Sequence, residues 1–499
     1  MILDHVIKQT EAYLECMPKV SRKKIGQFFT SRETAEYMAS MVDVDSLPDQ
    51  VWVLDPGAGT GILSAALIER LQTCEHIHEI HLTCYENDPS VLPVLSDTLL
   101  TIEKQCTKKI HCELLAYDYI LSQIDDFQAS PMAHIKPQKY HVVIANPPYL
   151  RILRDHPAAL SMQTVVHGAP NMYFLFATMS LFNLEKLGEM IYIIPRSWTS
   201  GAYFTAFRQY LFESSHIEQI HLFISRNEVF DSESVLQETM IVKVRKSTYQ
   251  PETVLVTSSR SNRDFADITK ILVPYSTVVS GTDMYVYLPT SENDIDTINQ
   301  INRYAQTLPE IGLRMKTGIV VDFRQREELR TEPGEHIVPL FYAQHIRNGR
   351  VHHEPSGKEA DWIVDEKPGL IQENKDYVFC KRFSAKEEKR RIQCGIYLAE
   401  DFPEYEKIAT QNKINYVAST DGSELSREMI YGIYALLNST LFDQYYRILN
   451  GSTQINSTEI NSIPVPPREK IQTIGSILME SGDLSTEACD KALKEVAYD

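Results

Sequence analysis

The chain has 499 residues, of which 43% are hydrophobic and 23% charged, and a formal net charge of −18. Such a length suggests two domains, and this composition excludes a disordered or fibrous chain. No run approaches the ~18 uninterrupted apolar residues of a membrane span, and the start MILDHVIKQTEAYLECMPKV lacks a basic-then-apolar signal pattern, so a cytoplasmic protein with no membrane partner is expected.

From about residue 50 to 245, short apolar strands alternate with longer helical periodicity. Strands are predicted at 51–55, 80–86, 110–115, 140–145, 189–195, 217–223 and 238–244, and helices at GILSAALIERLQ and MYFLFATMSLFNLEKL. This order predicts an α/β fold, an open and mainly parallel Rossmann-like sheet with helices on both faces. The last strand follows closely on another and is the candidate antiparallel member. After the polar stretch TSSRSNRDF the regularity fades. The expected division is a catalytic domain at 1–250 with a helical lead-in, a linker at 251–290, and a mixed α+β domain at 291–499. INSIPVPPREK (460–470) punctuates the chain before a final amphipathic segment. The eight cysteines are scattered without CxxC pairs, which points to reduced thiols and no metal site.

VLDPGAGTGIL (53–63) reads as a buried strand, an acid, a glycine loop and a helix. Gly57, Ala58 and Gly59 are the residues against which a ligand is expected to lie, because glycine lets the backbone turn sharply and approach closely. A dinucleotide fingerprint needs G-x-G-x-x-G/A, and here Ile62 takes the last glycine's place. Asp55, ahead of the loop, would repel a pyrophosphate and suits an ammonium group. Glu86, closing the next strand in CYENDP, is placed to accept from both hydroxyls of a ribose. Asp118 and Tyr119, in LLAYDYI after the third strand, would accept from an adenine amino group and pack on its ring. The ligand so described is an adenosine with an amino-acid tail.

The order KIGQFFT (24–30), DPGAGTG, YENDP and NPPY, with a long C-terminal remainder, resembles the gamma class of DNA adenine-N6 methyltransferases of type II restriction–modification systems, the TaqI, BsuBI and PstI kind. The resemblance implies S-adenosyl-L-methionine as cofactor, with Gln27, Phe28 and Thr30 lining its methionine end. It also implies double-stranded DNA as substrate, a monomeric enzyme, and a cognate restriction endonuclease as functional partner. Its BsuBI and PstI side points to CTGCAG as the recognition sequence.

In VVIANPPYL (142–150) a strand ends on Asn146-Pro147-Pro148-Tyr149. An exocyclic amine is a poor nucleophile because its lone pair is delocalised into the ring. Two acceptors on its N–H bonds, the Asn146 side-chain oxygen and the Pro147 carbonyl, would free that pair, and proline fixes φ and removes competing donors. Tyr149 would stack on a base flipped out of the duplex, with Phe230 in NEVFDSES as the second aromatic by family order. A cytosine-C5 enzyme would need a nucleophilic cysteine, typically in a Pro-Cys pair, and the sequence has none.

In the resembled family the C-terminal domain reads the DNA. Basic clusters at 314–330, 347–350 and 381–391, each alone a solvated face, become candidates to contact phosphates and bases, Arg324, Arg347, Arg382 and Arg447 among them. His345, His352 and His353 lack partners at metal-ligand spacing and read as surface residues. Two other functions use the same motifs: methylation of a protein glutamine amide or of RNA through NPPY, and a bifunctional restriction–methylation enzyme. Only about two dozen residues precede KIGQFFT, and no convincing P-D…(E/D)-x-K nuclease constellation is found.

Overall fold

The computed structural model describes residues 1–16, 30–168, 170–224, 239–262, 265–358, 360–384, 388–450 and 454–497. They divide into two compact units, Met1–Ser291 and Glu292–Asp499. In the first unit, the described residues place nine strands in one sheet: β1 (Gln50–Pro56), β2 (Glu79–Tyr85), β3 (Lys109–Leu115), β4 (Tyr140–Ala145), β5 (Leu184–Pro195), β6 (His216–Phe223), β7 (Thr239–Arg245), β8 (Thr253–Ser259) and β9 (Thr269–Pro274). Their order is β3-β2-β1-β4-β5-β7-β6-β8-β9. Strands β1 to β5 pair in parallel, and β7 runs antiparallel to both β5 and β6. The strand expected to be the odd member is therefore the one at 239–245.

Among the described residues, the first unit's helices of nine residues or more are α1 (Ile2–Cys16), α2 (Arg32–Ser40), α3 (Ile62–Leu71), α4 (Leu92–Gln105), α5 (Met172–Asn183) and α6 (Thr205–Ser214). α3 packs beside α4 and α5 beside α6, as the rule of right-handed crossovers running outward in opposite directions from the β1/β4 centre requires of helices on opposite faces. α5 is sandwiched so fully that eleven of its residues are buried. It ends at Asn183, earlier than the pattern MYFLFATMSLFNLEKL predicts. Lys246 Nζ donates to the carbonyls of Leu181 and Leu184 at 2.7 and 2.8 Å, and Lys139 Nζ to that of Phe182 at 2.6 Å. These cations satisfy the helix-end carbonyls, and the chain passes directly into β5.

The predicted linker at 251–290 is corrected by β8 and β9, which extend the sheet. Val254 and Val256 of β8 are buried, and so are the polar residues Thr257 and Ser259. His221 on β6 explains the polar ones: its Nδ1 lies 2.9 Å from Thr257 Oγ1 and its Nε2 3.0 Å from Ser259 Oγ. Buried hydroxyls with partners belong to the core, although in sequence they read as a loop.

The second unit holds a six-stranded sheet in the order Leu313–Thr317, Ile414–Ser419, Tyr377–Lys381, Cys394–Tyr397, Arg350–Val351 and Ile346–Arg347 among its described residues. A five-stranded sheet centres on Ile337–Phe341. Around them lie α7 (Glu292–Ile301), α8 (Arg427–Asn438), α9 (Thr440–Leu449), α10 (Arg468–Ser481) and α11 (Thr486–Ala497). α8 and α10 cross at backbone contact: a Cβ on Gly432 would run into the Ile471 carbonyl, and one on Gly475 into that of Glu428.

The middle of the first sheet carries a buried charge network. Lys243 Nζ lies 2.9 Å from Glu189 Oε1 and 3.1 Å from Glu218 Oε2, and Arg245 bonds both carboxylates. Burial alone would raise the Glu218 carboxyl, but its bonds from His216 and Arg245 outweigh burial and hold it well below the ordinary range. Glu189→Ala would leave Lys243, 8% exposed, without its main counter-charge. A loss of about 3 kcal/mol is expected, read as a lower urea midpoint in circular dichroism.

Candidate active site

The sheet's strand order reverses between β1 and β4, which opens a crevice beyond their carboxyl ends. The glycine loop hangs there from the end of β2. The N–H groups of Gly57 and Ala58 both donate to the Tyr85 carbonyl at 2.8 Å. Gly59 N–H donates to Glu86 Oε2 at 3.0 Å, and Glu86 Oε1 accepts from the N–H groups of Asn87 and Asp88, each at 2.8 Å. Burial raises the Glu86 carboxyl, and the backbone donors oppose the shift. Gly57, Gly59 and Gly61 have φ of +74°, +58° and +86°, a region disfavoured for residues with a Cβ. At Gly61 a Cβ would also meet Thr98 at 2.7 Å.

Beyond the loop lies a cavity of about 550 Å³. It brings together Thr30, Gly57, Ala58, Gly59, Glu86, Asp118, Tyr119, Asn146 and Pro148, all expected site residues. Tyr119 lays its ring in the wall while its hydroxyl reaches inward to Ser180 at 3.2 Å and Asn183 Oδ1 at 3.1 Å. Asp118 Oδ1 accepts the Leu121 N–H at 2.8 Å. Asn146 Nδ2 donates to Thr30 Oγ1 at 3.2 Å, joining residues 116 positions apart and orienting the carboxamide.

Sequence reasoning missed Tyr85, Tyr117, Leu150, His156, Met172 and Phe176 in the same wall. The available signal was positional: Tyr85 and Tyr117 flank strand ends, and Phe176 lies one turn beyond Met172 on α5. The described wall contains the carboxylates of Glu86, Asp88 and Asp118 and neither lysine nor arginine. Such a wall disfavours a pyrophosphate and accommodates a cationic ligand. With the glycine cradle, this donor set fits an adenosyl sulfonium.

Other expected site residues lie outside this wall. Asp55 does not form part of the cavity wall. Its carboxylate is 1% exposed and accepts from Ser64 Oγ at 2.7 Å. Burial, reinforced by Glu86 and opposed by the Ser64 bond, pushes it up to about 7, so it offers no full charge to an ammonium group near neutrality. Tyr149 is not a wall residue either. Its ring is 6% exposed, and its hydroxyl donates to the Ile193 carbonyl of β5 at 2.9 Å. Gln27, Phe28 and Phe230 lie outside the described residues.

In the second unit, Arg391 is fully buried and donates from Nε to Ser384 Oγ at 3.1 Å. Arg447 bonds Asp443 at 2.9 Å and the carbonyls of Glu388 and Lys389. Arg382 donates to the Asn412 carbonyl at 3.0 Å, and Arg347 to Glu354 at 3.0 Å. His345 is 1% exposed against Phe341 and Tyr342, not a surface residue, and burial depresses it to about 4. By contrast Arg314, Lys316, Arg324 and Arg326 are exposed.

A glycine loop tied to an acid at the second strand's end, an acidic cavity beside it and an Asn-Pro-Pro-Tyr corner on the fourth strand define an S-adenosylmethionine-dependent methyltransferase. The Eco57I restriction-modification methylase model matches residues 75–230. Type II methyltransferase M.BsuBI of Bacillus subtilis is 33% identical over 469 residues, 92% of this chain and 91% of that protein. Type II methyltransferase M.PstI of Providencia stuartii is 31% identical over 497 residues, 97% and 95% of the two chains. The type IIL restriction-modification enzyme MmeI, solved in complex with DNA, shares the fold with a TM-score of 0.56 at 12% identity, covering 99% of this chain and 73% of that one. The chain belongs to the family of type II methyltransferases of restriction–modification systems. Among its described residues no helix is long and apolar enough to cross a membrane.

Asp55 gives the fold a pH signature. Its folded value of about 7 exceeds the ordinary 3.8, so its contribution to stability is full below about pH 4 and is lost as pH rises toward 7. The slope is about 1.4 kcal/mol per pH unit. Asp55→Asn removes it, and between pH 5 and 7 urea unfolding is expected to shift in favour of the variant by about 2 kcal/mol relative to wild type. A pH-independent difference would mean that Asp55 is already ionised in the fold.

Proposed function

We propose that the protein is a site-specific DNA (adenine-N6)-methyltransferase that flips adenine out of the duplex and protects its site from a cognate restriction endonuclease. The observation that carries this reading is the placement of Asn146, oriented by Thr30, in the wall of the acidic cavity beside the glycine loop. S-adenosylmethionine, when bound, supplies an electrophilic methyl group. Glu86 takes the ribose hydroxyls, Asp118 accepts from the adenine amino group of the cofactor, and Tyr119 packs beside its ring. Gly57, Ala58 and Gly59 let the ligand lie on the backbone.

On the target side, Asn146 Oδ1 and the Pro147 carbonyl accept the two N–H bonds of the exocyclic amine and localise its lone pair. As the amine nitrogen bonds the methyl carbon, the methyl–sulfur bond would break, its electron pair remaining on a neutral thioether sulfur, and the methylated nitrogen would give up one proton to solvent. Pro148 stiffens the corner, and Tyr149, held by the Ile193 carbonyl, packs against the extruded base. Catalysis is by position and electrostatics. The unit at 292–499 reads the sequence, and the exposed cations Arg314, Lys316, Arg324 and Arg326 are its candidates for phosphate contact.

The test is transfer of tritiated methyl groups to duplex DNA, RNA and protein. Label is expected in DNA containing the target site, CTGCAG being the first to try. Asn146→Ala is expected to lower the rate by about 10²-fold or more, with cofactor affinity in calorimetry changed less than about twofold, since the lost acceptor serves the target amine. Label in protein or RNA alone, or an undiminished rate in the variant, would overturn the proposal.

A further inference from the structure

An exposed finger rises from the cavity rim directly behind the NPPY corner. Its first residue, Leu150, and its last, His156, both belong to the cavity wall. Between them the backbone is held rather than loose. Met172 N–H donates to the Leu150 carbonyl at 2.8 Å, Ile152 N–H to the Pro170 carbonyl at 3.0 Å, and Arg151 bridges Asn171 in antiparallel fashion. Ile152 points inward and is 8% exposed, while Leu153, which follows it, is 75% exposed. On the far side, Arg154 Nε donates to the Gly168 carbonyl at 2.7 Å, and His156 Nδ1 accepts the Ala158 N–H at 3.2 Å.

An apolar side chain displayed on a braced backbone has no folding role to account for its exposure. Single exposed leucines are common, but this one stands between two exposed arginines, Arg151 and Arg154, in a chain whose formal charge is −18. An apolar tip between cations, at the mouth of a site that takes an extruded base, complements one surface: the anionic backbones of a duplex with a vacated position in the stack between them. Proteins that kink or open DNA insert apolar wedges in this way, which offsets part of the unstacking cost.

We propose that Leu153 is the wedge that enters the base stack where the target nucleotide leaves it, and that Arg151 and Arg154 hold the phosphates flanking that nucleotide. This assignment rests on the reading of the protein as a base-flipping DNA methyltransferase, and it adds three residues to that reaction. Leu153 is a positioning residue: it makes no contact with the reacting amine and acts by keeping the base out of the helix.

Two duplexes carrying the mapped methylation site serve as probes, one fully paired and one with an abasic position opposite the target adenine, where extrusion costs less. Leu153→Ala is expected to lower kcat/KM on the paired duplex by about tenfold, and on the abasic duplex by less than about twofold. With 2-aminopurine in place of the target, the fluorescence rise on binding should shrink in Leu153→Ala and return in Leu153→Met. Far-ultraviolet circular dichroism unchanged from wild type confirms that the variant is folded. Equal loss on both duplexes, or wild-type fluorescence in the alanine variant, would overturn the wedge while leaving the methyltransferase reading intact. A wild-type enzyme that leaves both duplexes unlabelled would remove that reading and the wedge with it.

Discussion

One carboxylate fixes the geometry on which the site depends. Glu86 ends its strand with both oxygens turned back onto main-chain N–H groups, those of Gly59 on one side and of Asn87 and Asp88 on the other. Together with the Tyr85 carbonyl, which accepts from Gly57 and Ala58, it suspends the glycine loop between β1 and β2. Without that tie a loop of three left-handed glycines would have many conformations, and ordering it would cost free energy each time a ligand arrived. With it, the backbone surface exists before the ligand does. A buried acid that binds three N–H groups and still lines a cavity is well suited to hold hydroxyls.

The same economy of position operates on the opposite side of the crevice. Asn146 leaves β4 as a neighbour of Thr30, a residue far away in sequence, and the hydrogen bond between them sets the direction of the carboxamide. Tyr149 is fixed by the next strand through the Ile193 carbonyl. The corner is thus braced from outside itself, which is what an acceptor pair aimed at a weak nucleophile requires. The finger beyond it, tied to 170–172 through main-chain bonds, continues this bracing to the rim.

Much of the fold was legible because its signal is periodic. Alternating apolar strands and amphipathic helices gave β1 to β7 in register with the observed elements, and their connection order gave a mainly parallel sheet. The errors fall where polar residues are buried with partners. Thr257 and Ser259 read as loop because nothing in a linear string shows His221 waiting beside them. His345 read as surface for the same reason, and Arg391 as one member of a basic cluster, although both are enclosed. Within the site, Glu86 and Asn146 were legible from strand ends, since a strand's last residue in this topology faces the crevice. Asp55 satisfies the same rule of position, but its side chain turns beneath the loop to Ser64, a choice made by packing and not by spacing. Leu153 carries no motif at all, and only its exposure on a braced loop distinguishes it.

The chemistry proposed for this acceptor corner is methyl transfer to adenine in DNA. The most direct measurement is nucleoside mass spectrometry on DNA from cells expressing the protein, compared with DNA from cells expressing Asn146→Ala, followed by sequencing to map the modified positions. N6-methyladenine is expected at one short sequence with wild type, and none above background with the variant. N4-methylcytosine or 5-methylcytosine as the new base, or DNA with no added methylation, would contradict it.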